Sequence, residues 1–454
     1  MNTKMILLCG LGLVLLLPQV ALSIGSHPET NGSYCLKDRL MRVDQLIFVP
    51  PVKTVSWLGD AACTASYGAY ALIGGQPFQD IDFRIYKLTE PDSLLYIVGG
   101  THGAYVLASD WCCINGIPYV AVAGAPNVLG NEVEIYRFDP IAQTLTLAAY
   151  YSHGGIIYSV SWLCDCNSTG SGYLAIGGQA STLDRAEVRV LQVPVLTTTT
   201  TAVALQATAS KVHGAPVYSV DWCASYSYPL LAIGGKTSSL ECDVNIRVYS
   251  FACDTGYLYP LSQASFNGNV VNTLRWCCVP RRCETNPVLA VGGSSNGLDC
   301  ANIRLYCLSD IGSLVEYAKE CNHYQPTIFA LDWNPACHCS YITAGGACAV
   351  ATHNPCMPNI FVYKKSKPSR RTDLKLVTEE QFNQNVTSLA WYYQDGSLYS
   401  YLLVGGEPSV QLVDDITSNP VCQTEPMVIL YKATYCHSRK PESVPPICMR
   451  TPLK

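Results

Sequence analysis

The chain has 454 residues, enough for two or three ordinary domains, yet only 14% of them are charged and the formal net charge is −5. A weakly acidic, charge-poor chain offers no basic field for a polyphosphate, which argues against nucleic acid as a partner. With 49% hydrophobic residues, 34 glycines and 27 prolines, the bulk of the chain is folded and suits many short strands joined by tight turns.

Residues 1–23 carry Lys4 as their only charge, an apolar run Met5–Leu17, then Pro18 and the small residues Ala21 and Ser23 at cleavage spacing. This is the pattern of a secretory signal peptide. A membrane anchor is the alternative, but the apolar run falls well short of the roughly 20 residues needed to span a bilayer. Cys9 lacks the small residues that precede a lipid-modified cysteine, and no later segment reads as transmembrane. Loss of this segment removes Lys4 and Cys9, so the charge becomes −6 and the 23 cysteines become 22, an even number compatible with complete pairing in an oxidising compartment. Sequons at Asn31, Asn167 and Asn385 are glycosylation acceptors only in a eukaryotic setting, and chance otherwise.

A lead, residues 24–38, precedes an alternating stretch from Arg39 to Phe48. From residue 52 onward one phrase recurs around each of the 7 tryptophans: Trp57, Trp111, Trp162, Trp222, Trp276, Trp333 and Trp391. The mean spacing is about 56 residues, inside the range of repeat architectures. Period-two alternation into the tryptophan, as in Ile157-Tyr158-Ser159-Val160-Ser161-Trp162, predicts a strand, here strand A. Strand B is a short apolar run ending in Gly-Gly, as at Gly74-Gly75, Gly177-Gly178 and Gly234-Gly235, with Ala123-Gly124 as the departure. Only the second glycine is demanded throughout, for a close backbone approach or a positive φ.

Strand C opens on an acid or amide and closes on tyrosine, as in Asp82-Phe83-Arg84-Ile85-Tyr86 and Asn302-Ile303-Arg304-Leu305-Tyr306. Strand D is less regular, for example Thr144 to Ala149, and the run Thr197 to Thr201 falls in an elongated C–D hairpin. A blade of this kind cannot bury both faces alone, so blades stack radially. The expected fold is all-β: a seven-bladed β-propeller of four-stranded antiparallel blades. The last repeat supplies strand A, strand B and Val428 to Lys432 as strand C, then enters a Pro-rich tail, so residues 39–48 are expected to close the ring as its fourth strand. The propeller spans 39–433 and the tail 434–454.

The runs Val217 to Trp222, Leu230 to Gly235 and Asn245-Ile246-Arg247-Val248-Tyr249 together resemble the strands of the WD40-repeat superfamily, over residues 39–433. His102, His153 and His213, each nine residues before a tryptophan and followed by glycine, resemble that family's Gly-His element. The chain departs from the family where strand C ends, since Tyr and another residue replace Trp-Asp. The family's His-Asp-Trp network is therefore not carried over. Kelch propellers share the Gly-Gly ending but lack the strand-A tryptophan.

Of the 22 cysteines after Cys9, eleven follow a tryptophan by seven residues or fewer, which gathers them on the rim where strand A ends and the C–D turns emerge. Disulfides are expected there, with Cys223 to Cys253 as one candidate and Cys348 to Cys356 as another within its own repeat. Cys35 and Cys436 flank the two strands that complete the last blade, so a bridge between them would clamp the ring. Metal is the rival reading of Cys164-Asp165-Cys166 and Cys337-His338-Cys339, but neither has the two-pair spacing of a zinc site.

The histidines occupy equivalent repeat positions, with Asn267 in the place nine before Trp276, and read as structural within their own blades, as do the tryptophans, Arg84, Arg189, Arg247, Arg304, Asp110, Asp221 and Asp332. No nucleophile elbow, paired-histidine zinc motif or phosphate loop occurs. The expected function is an exported, non-catalytic interaction scaffold, a monomeric fold unit without cofactor or catalytic residues, binding a protein partner through rim loops and the channel mouth. Carbohydrate binding, for which 29 tyrosines offer stacking surfaces, and a loop-built hydrolase or oxidase are the alternatives.

Overall fold

The structure is a computed structural model that describes residues 33–438 except 37–39, 47–49, 60, 165, 167–169, 195–200, 225–227, 267–269, 279–285, 295–298, 321–326, 338–339, 349–356, 366–373, 395–396 and 408–426. The signal-peptide segment, Asn31, Asn167, Asn267, His338, Cys339, Cys356 and most of the Thr197 to Thr201 run therefore lie outside the described residues. The propeller unit is Cys35–Cys436.

It is a seven-bladed β-propeller. Blade one pairs Val52–Trp57, Tyr70–Phe78, Ile81–Thr89 and Ser93–Gly100 in that order. Blade four repeats the pattern with Val217–Cys223, Leu230–Gly235, Ile246–Ala252 and Tyr257–Ala264. Each tryptophan ends a strand A or falls within its last residues, and its partner across the A–B ladder is an apolar residue of strand B, as in Trp222 opposite Leu231 and Trp276 opposite Leu289.

The core is a series of layers between neighbouring blades. Trp111 packs with Leu72, Phe83 and Ile85 of blade one, Trp162 with Ala121 and Ile135 of blade two, and Trp222 with Tyr173, Val188 and Val190 of blade three. Every tryptophan thus turns toward the preceding blade, where burying roughly 200 Å² of indole contributes about 5 kcal/mol before entropy is counted. Where the indole N–H is bonded, it also reaches that blade: Trp162 Nε1 donates to Asp110 O at 3.2 Å, Trp333 Nε1 to Arg275 O at 3.0 Å and Trp57 Nε1 to Ala390 O at 3.0 Å.

Strand B explains its own glycines. A Cβ on the second glycine would be driven into a main-chain carbonyl of strand A or the residue before it: Pro51 at Gly75, Tyr105 at Gly124 and Pro216 at Gly235. None of these glycines has a positive φ, so close approach is the reason. The first glycine instead accepts β-branched or leucine side chains from the next blade, such as Val271 and Leu274 against Gly234.

Blade seven is built from Asn385–Tyr393, Tyr399–Glu407 and Val428–Ser438, with Met41–Leu46 antiparallel to the last of these from Met41 opposite Lys432 to Leu46 opposite Val428. Strand C thus runs beyond Lys432 to Ser438, and the short strand Ser33–Leu36 lies against it as well. Blade seven meets blade one where Val55 N–H donates to Ser388 Oγ at 3.0 Å. In the long C–D connection of blade three, Val203–Ala204 crosses to pair in parallel with the outer strand of blade two.

Four disulfides differ from the expected within-blade pattern. Cys63 is joined to Cys113, Cys112 to Cys164, Cys166 to Cys253 and Cys223 to Cys278, with Cα separations of 6.0, 5.6, 5.7 and 5.4 Å. Cys223 and Cys253 are therefore not partners. Each bridge links one blade to the next, from blade one through blade five: Cys112 to Cys164 and Cys223 to Cys278 join the ends of neighbouring A strands, Cys63 reaches Cys113 from the short helix Ala61–Tyr67, and Cys166 reaches the C–D turn of blade four at Cys253. Cys348 is disulfide-bonded, and its expected partner Cys356 is outside the described residues. The strands carrying Cys35 and Cys436 are neighbours in one sheet, and those side chains are also outside the description.

Candidate functional site

The inner strands border a central channel, and one edge of each has no ladder partner. Unpaired edge N–H groups are costly or sticky. Side chains of the preceding blade satisfy them here. Ser159, Ser219 and Ser388 Oγ each accept the N–H of the next blade's Val220, Leu274 and Val55, at 3.0 Å in every case. One level deeper, carboxylates do the same: Asp110 Oδ2 accepts Trp162 N–H at 2.7 Å, Asp221 Oδ2 accepts Trp276 N–H at 2.6 Å, and Asp332 Oδ2 accepts Trp391 N–H at 2.6 Å.

The equivalent position is Ser56, Ser161 and Ala390 in blades one, three and seven, and Arg275 in blade five, where a cation stands among the three carboxylates. Arg275 Nη1 lies 3.4 Å from Asp221 Oδ1, and 37% of the side chain is accessible because it faces the channel void. Burial pushes the Asp110 and Asp332 carboxyls up to about 6, outweighing the attraction of Arg275 and the N–H groups they accept. Asp221 is raised for the same reason, less the pull of its Arg275 partner. Arg275 is itself shifted upward, since the three carboxylates outweigh its own burial.

Above this ring the channel widens into a cavity of about 380 Å³. A β-bulge near the start of every strand A, such as that between Val217 and Ser219, takes one residue out of the ladder. The bulged residues are Lys53, Leu107, Tyr158, Tyr218, Asn272, Phe329 and Thr387, and all of them line the cavity. Bulges commonly re-aim a side chain toward a site. The Tyr158 and Tyr218 rings lie 5.1 Å apart, Asn272 Nδ2 donates to Ile328 O at 2.9 Å, and Lys53 is paired with Glu407.

None of these bulged residues was singled out from the sequence. The available signal was negative: four places before tryptophan, chemistry changes from repeat to repeat while its neighbours stay constant.

The structure keeps the sequence-selected histidines apart, each within its own blade. Nε2 of His102, His153 and His213 meets the carbonyl of Ala125, Gln179 and Lys236, just past the strand-B glycine, at 3.0, 2.9 and 2.9 Å. Their backbone N–H groups donate to Asp82, Glu132 and Glu187, the polar residues that open strand C of the preceding blade. Burial lowers the affinity of His153 and His213 for a proton. In blade five Phe266 N–H makes the equivalent bond, donating to Asn245 Oδ1 at 2.7 Å, and Asn267 lies outside the described residues. His102 also approaches Glu134, to which the Tyr136 hydroxyl donates, so a carboxylate and a tyrosine stand together in the first half of strand C, Val133–Asp139.

The cavity opens on the side where the B–C loops emerge, opposite the disulfides. Those loops project apolar side chains at equivalent places in consecutive blades: Leu129, Leu183 and Leu240 are 77%, 80% and 63% exposed. Each leucine N–H is held by a side-chain oxygen two residues earlier, from Asn127, Ser181 and Ser238. Arg189 and Arg247 of strand C anchor the same loops by pairing with Asp184 at 2.6 Å and Glu241 at 3.4 Å.

Among the described residues no helix is long and apolar enough to cross a membrane. No family model matches the chain, and no curated protein matches it. Fold and site together define a disulfide-bridged seven-bladed β-propeller with a non-repeating, aromatic-lined channel mouth.

Proposed function

We propose that the protein is an exported, non-catalytic interaction scaffold whose binding face is the rim of B–C loops around the channel mouth, and that it is a divergent relative of WD40 propellers. The observation that carries this reading is the row of exposed leucines at Leu129, Leu183 and Leu240, each held outward by a locally bonded turn. Exposed apolar residues scattered singly need no explanation, but the same presentation on three consecutive blades makes a patterned surface. By contrast, the repeated histidine, carboxylate and arginine side chains described above are engaged in holding loops and blades together. Disulfides between successive blades are consistent with an oxidising destination for a chain that begins with the residue pattern of a signal peptide.

The test is affinity capture with the oxidised protein from its native compartment, alongside the triple variant Leu129→Ser, Leu183→Ser, Leu240→Ser. Anchors at an interface centre each cost more than ~1 kcal/mol when truncated, so the variant should lose the captured partner. Its unfolding free energy should stay within about 0.5 kcal/mol of the parent per site, because the side chains are exposed. Undiminished capture by the triple variant would refute the assignment of this rim.

A further inference from the structure

We propose that the channel cavity is a binding site for one neutral sugar ring, which enters from the mouth and rests against Tyr158, Tyr218 and Phe329. The proposal stands on the cavity and does not depend on the rim leucines.

The walls decide the ligand class. At about 380 Å³ the space lies near the small end of the ~300–1,000 Å³ typical of ligand pockets, which suits one ring and not a chain of them. The Ser159, Ser219 and Thr387 hydroxyls are already engaged between blades, but Arg275 and Asn272 keep hydrogen-bonding atoms that a purely apolar ligand would leave unsatisfied. An anion would meet Arg275 already surrounded by Asp110, Asp221 and Asp332, and a Lys53 already paired with Glu407. A cation would meet the Arg275 guanidinium on the floor, and Glu407, the lining carboxylate, is already paired with Lys53.

What remains is a neutral molecule with an apolar face and a hydroxyl edge. Among the described residues, the only side-chain hydrogen bond of Arg275 is the one to Asp221, so its other N–H donors are available to ligand hydroxyls. Asn272 spends its Nδ2 on Ile328 O, which leaves Oδ1 as an acceptor. The two tyrosine rings, 5.1 Å apart and tilted by 58°, offer a platform for the C–H face of a pyranose. All these groups sit on bulges or inner strands of a closed ring, so little ordering is needed on binding.

The test is calorimetric titration of the intact oxidised protein with glucose, galactose, mannose and N-acetylglucosamine, with sialic acid and spermidine as charged comparators. At least one neutral sugar should bind saturably with Kd on the order of 1 mM, and Tyr158→Leu and Tyr218→Leu should each weaken it by about tenfold with the melting midpoint retained. Should either variant misfold, the unmodified protein still decides: the bound sugar should protect Tyr158 and Tyr218 from iodination. Absence of saturable binding by all of the neutral sugars would overturn the proposal. So would a sugar that binds while leaving both tyrosines unprotected, or saturation by the charged comparators alone. Loss of sugar binding with partner capture intact would remove this inference and leave the rim assignment standing.

Discussion

Asp110, Asp221 and Asp332 hold backbone N–H groups of neighbouring blades, and their depth makes ionisation costly. Asp110 and Asp332 titrate near 6 in the folded chain against an ordinary 3.8, so between those values the folded state keeps protons that the unfolded state releases. Their contribution to stability is greatest below that window and falls as pH rises through it. His153 and His213 act in the opposite sense: their lowered values make the folded state bind fewer protons, so they cost stability as pH falls below 6.5. Substitution separates the two effects. Asp110→Asn and Asp332→Asn remove only the carboxylate term, so their stability relative to the parent should rise from pH 4 to pH 7 in urea denaturation series, and a difference independent of pH would contradict the burial argument. The sequence marked these aspartates as repeat-borne, but their bond to the next blade was not legible, since it depends on how two separate strands stack.

Strand B shows where an element tolerates no change. At Gly235 a methyl group meets the Pro216 carbonyl, whereas at Gly59 the nearest atom is 4.0 Å away. Gly235→Ala should therefore destabilise by about 2 kcal/mol or more through strain in a packed strand, while Gly59→Ala should be neutral or stabilising by up to ~1 kcal/mol. Thermal unfolding of the two variants checks this, and equal midpoints would show that the glycine is not demanded by close approach. The strands, their order and the Gly-Gly ending were legible because period-two alternation and glycine placement are local properties. The bulge was not. It adds one residue to a strand whose alternation still reads well from Ser219 to Trp222, so Tyr218 looked like part of the pattern when it is displaced toward the channel.

The propeller unit, Cys35–Cys436, has two unlike faces. One rim carries bridges between successive blades, and the other carries the cavity mouth and the leucine-tipped loops. Clustering of cysteines after tryptophan pointed to the rim where the four bridges lie, but the choice of partner was not a sequence property. The end of strand A at Cys223 has two neighbours, the C–D turn of its own blade at Cys253 and the next blade at Cys278, and only the stacking of blades selects the second. Each closed loop is long enough, at sequence separations of 50 to 87, for a bridge to contribute about 2–4 kcal/mol by restricting the unfolded chain.

Peptide mapping of the non-reduced protein tests most directly whether blades are joined neighbour to neighbour. The expected map contains linked peptides for Cys112 with Cys164, Cys166 with Cys253, and Cys223 with Cys278. A peptide joining Cys223 to Cys253, or free thiols at these positions in protein from its native compartment, would contradict it.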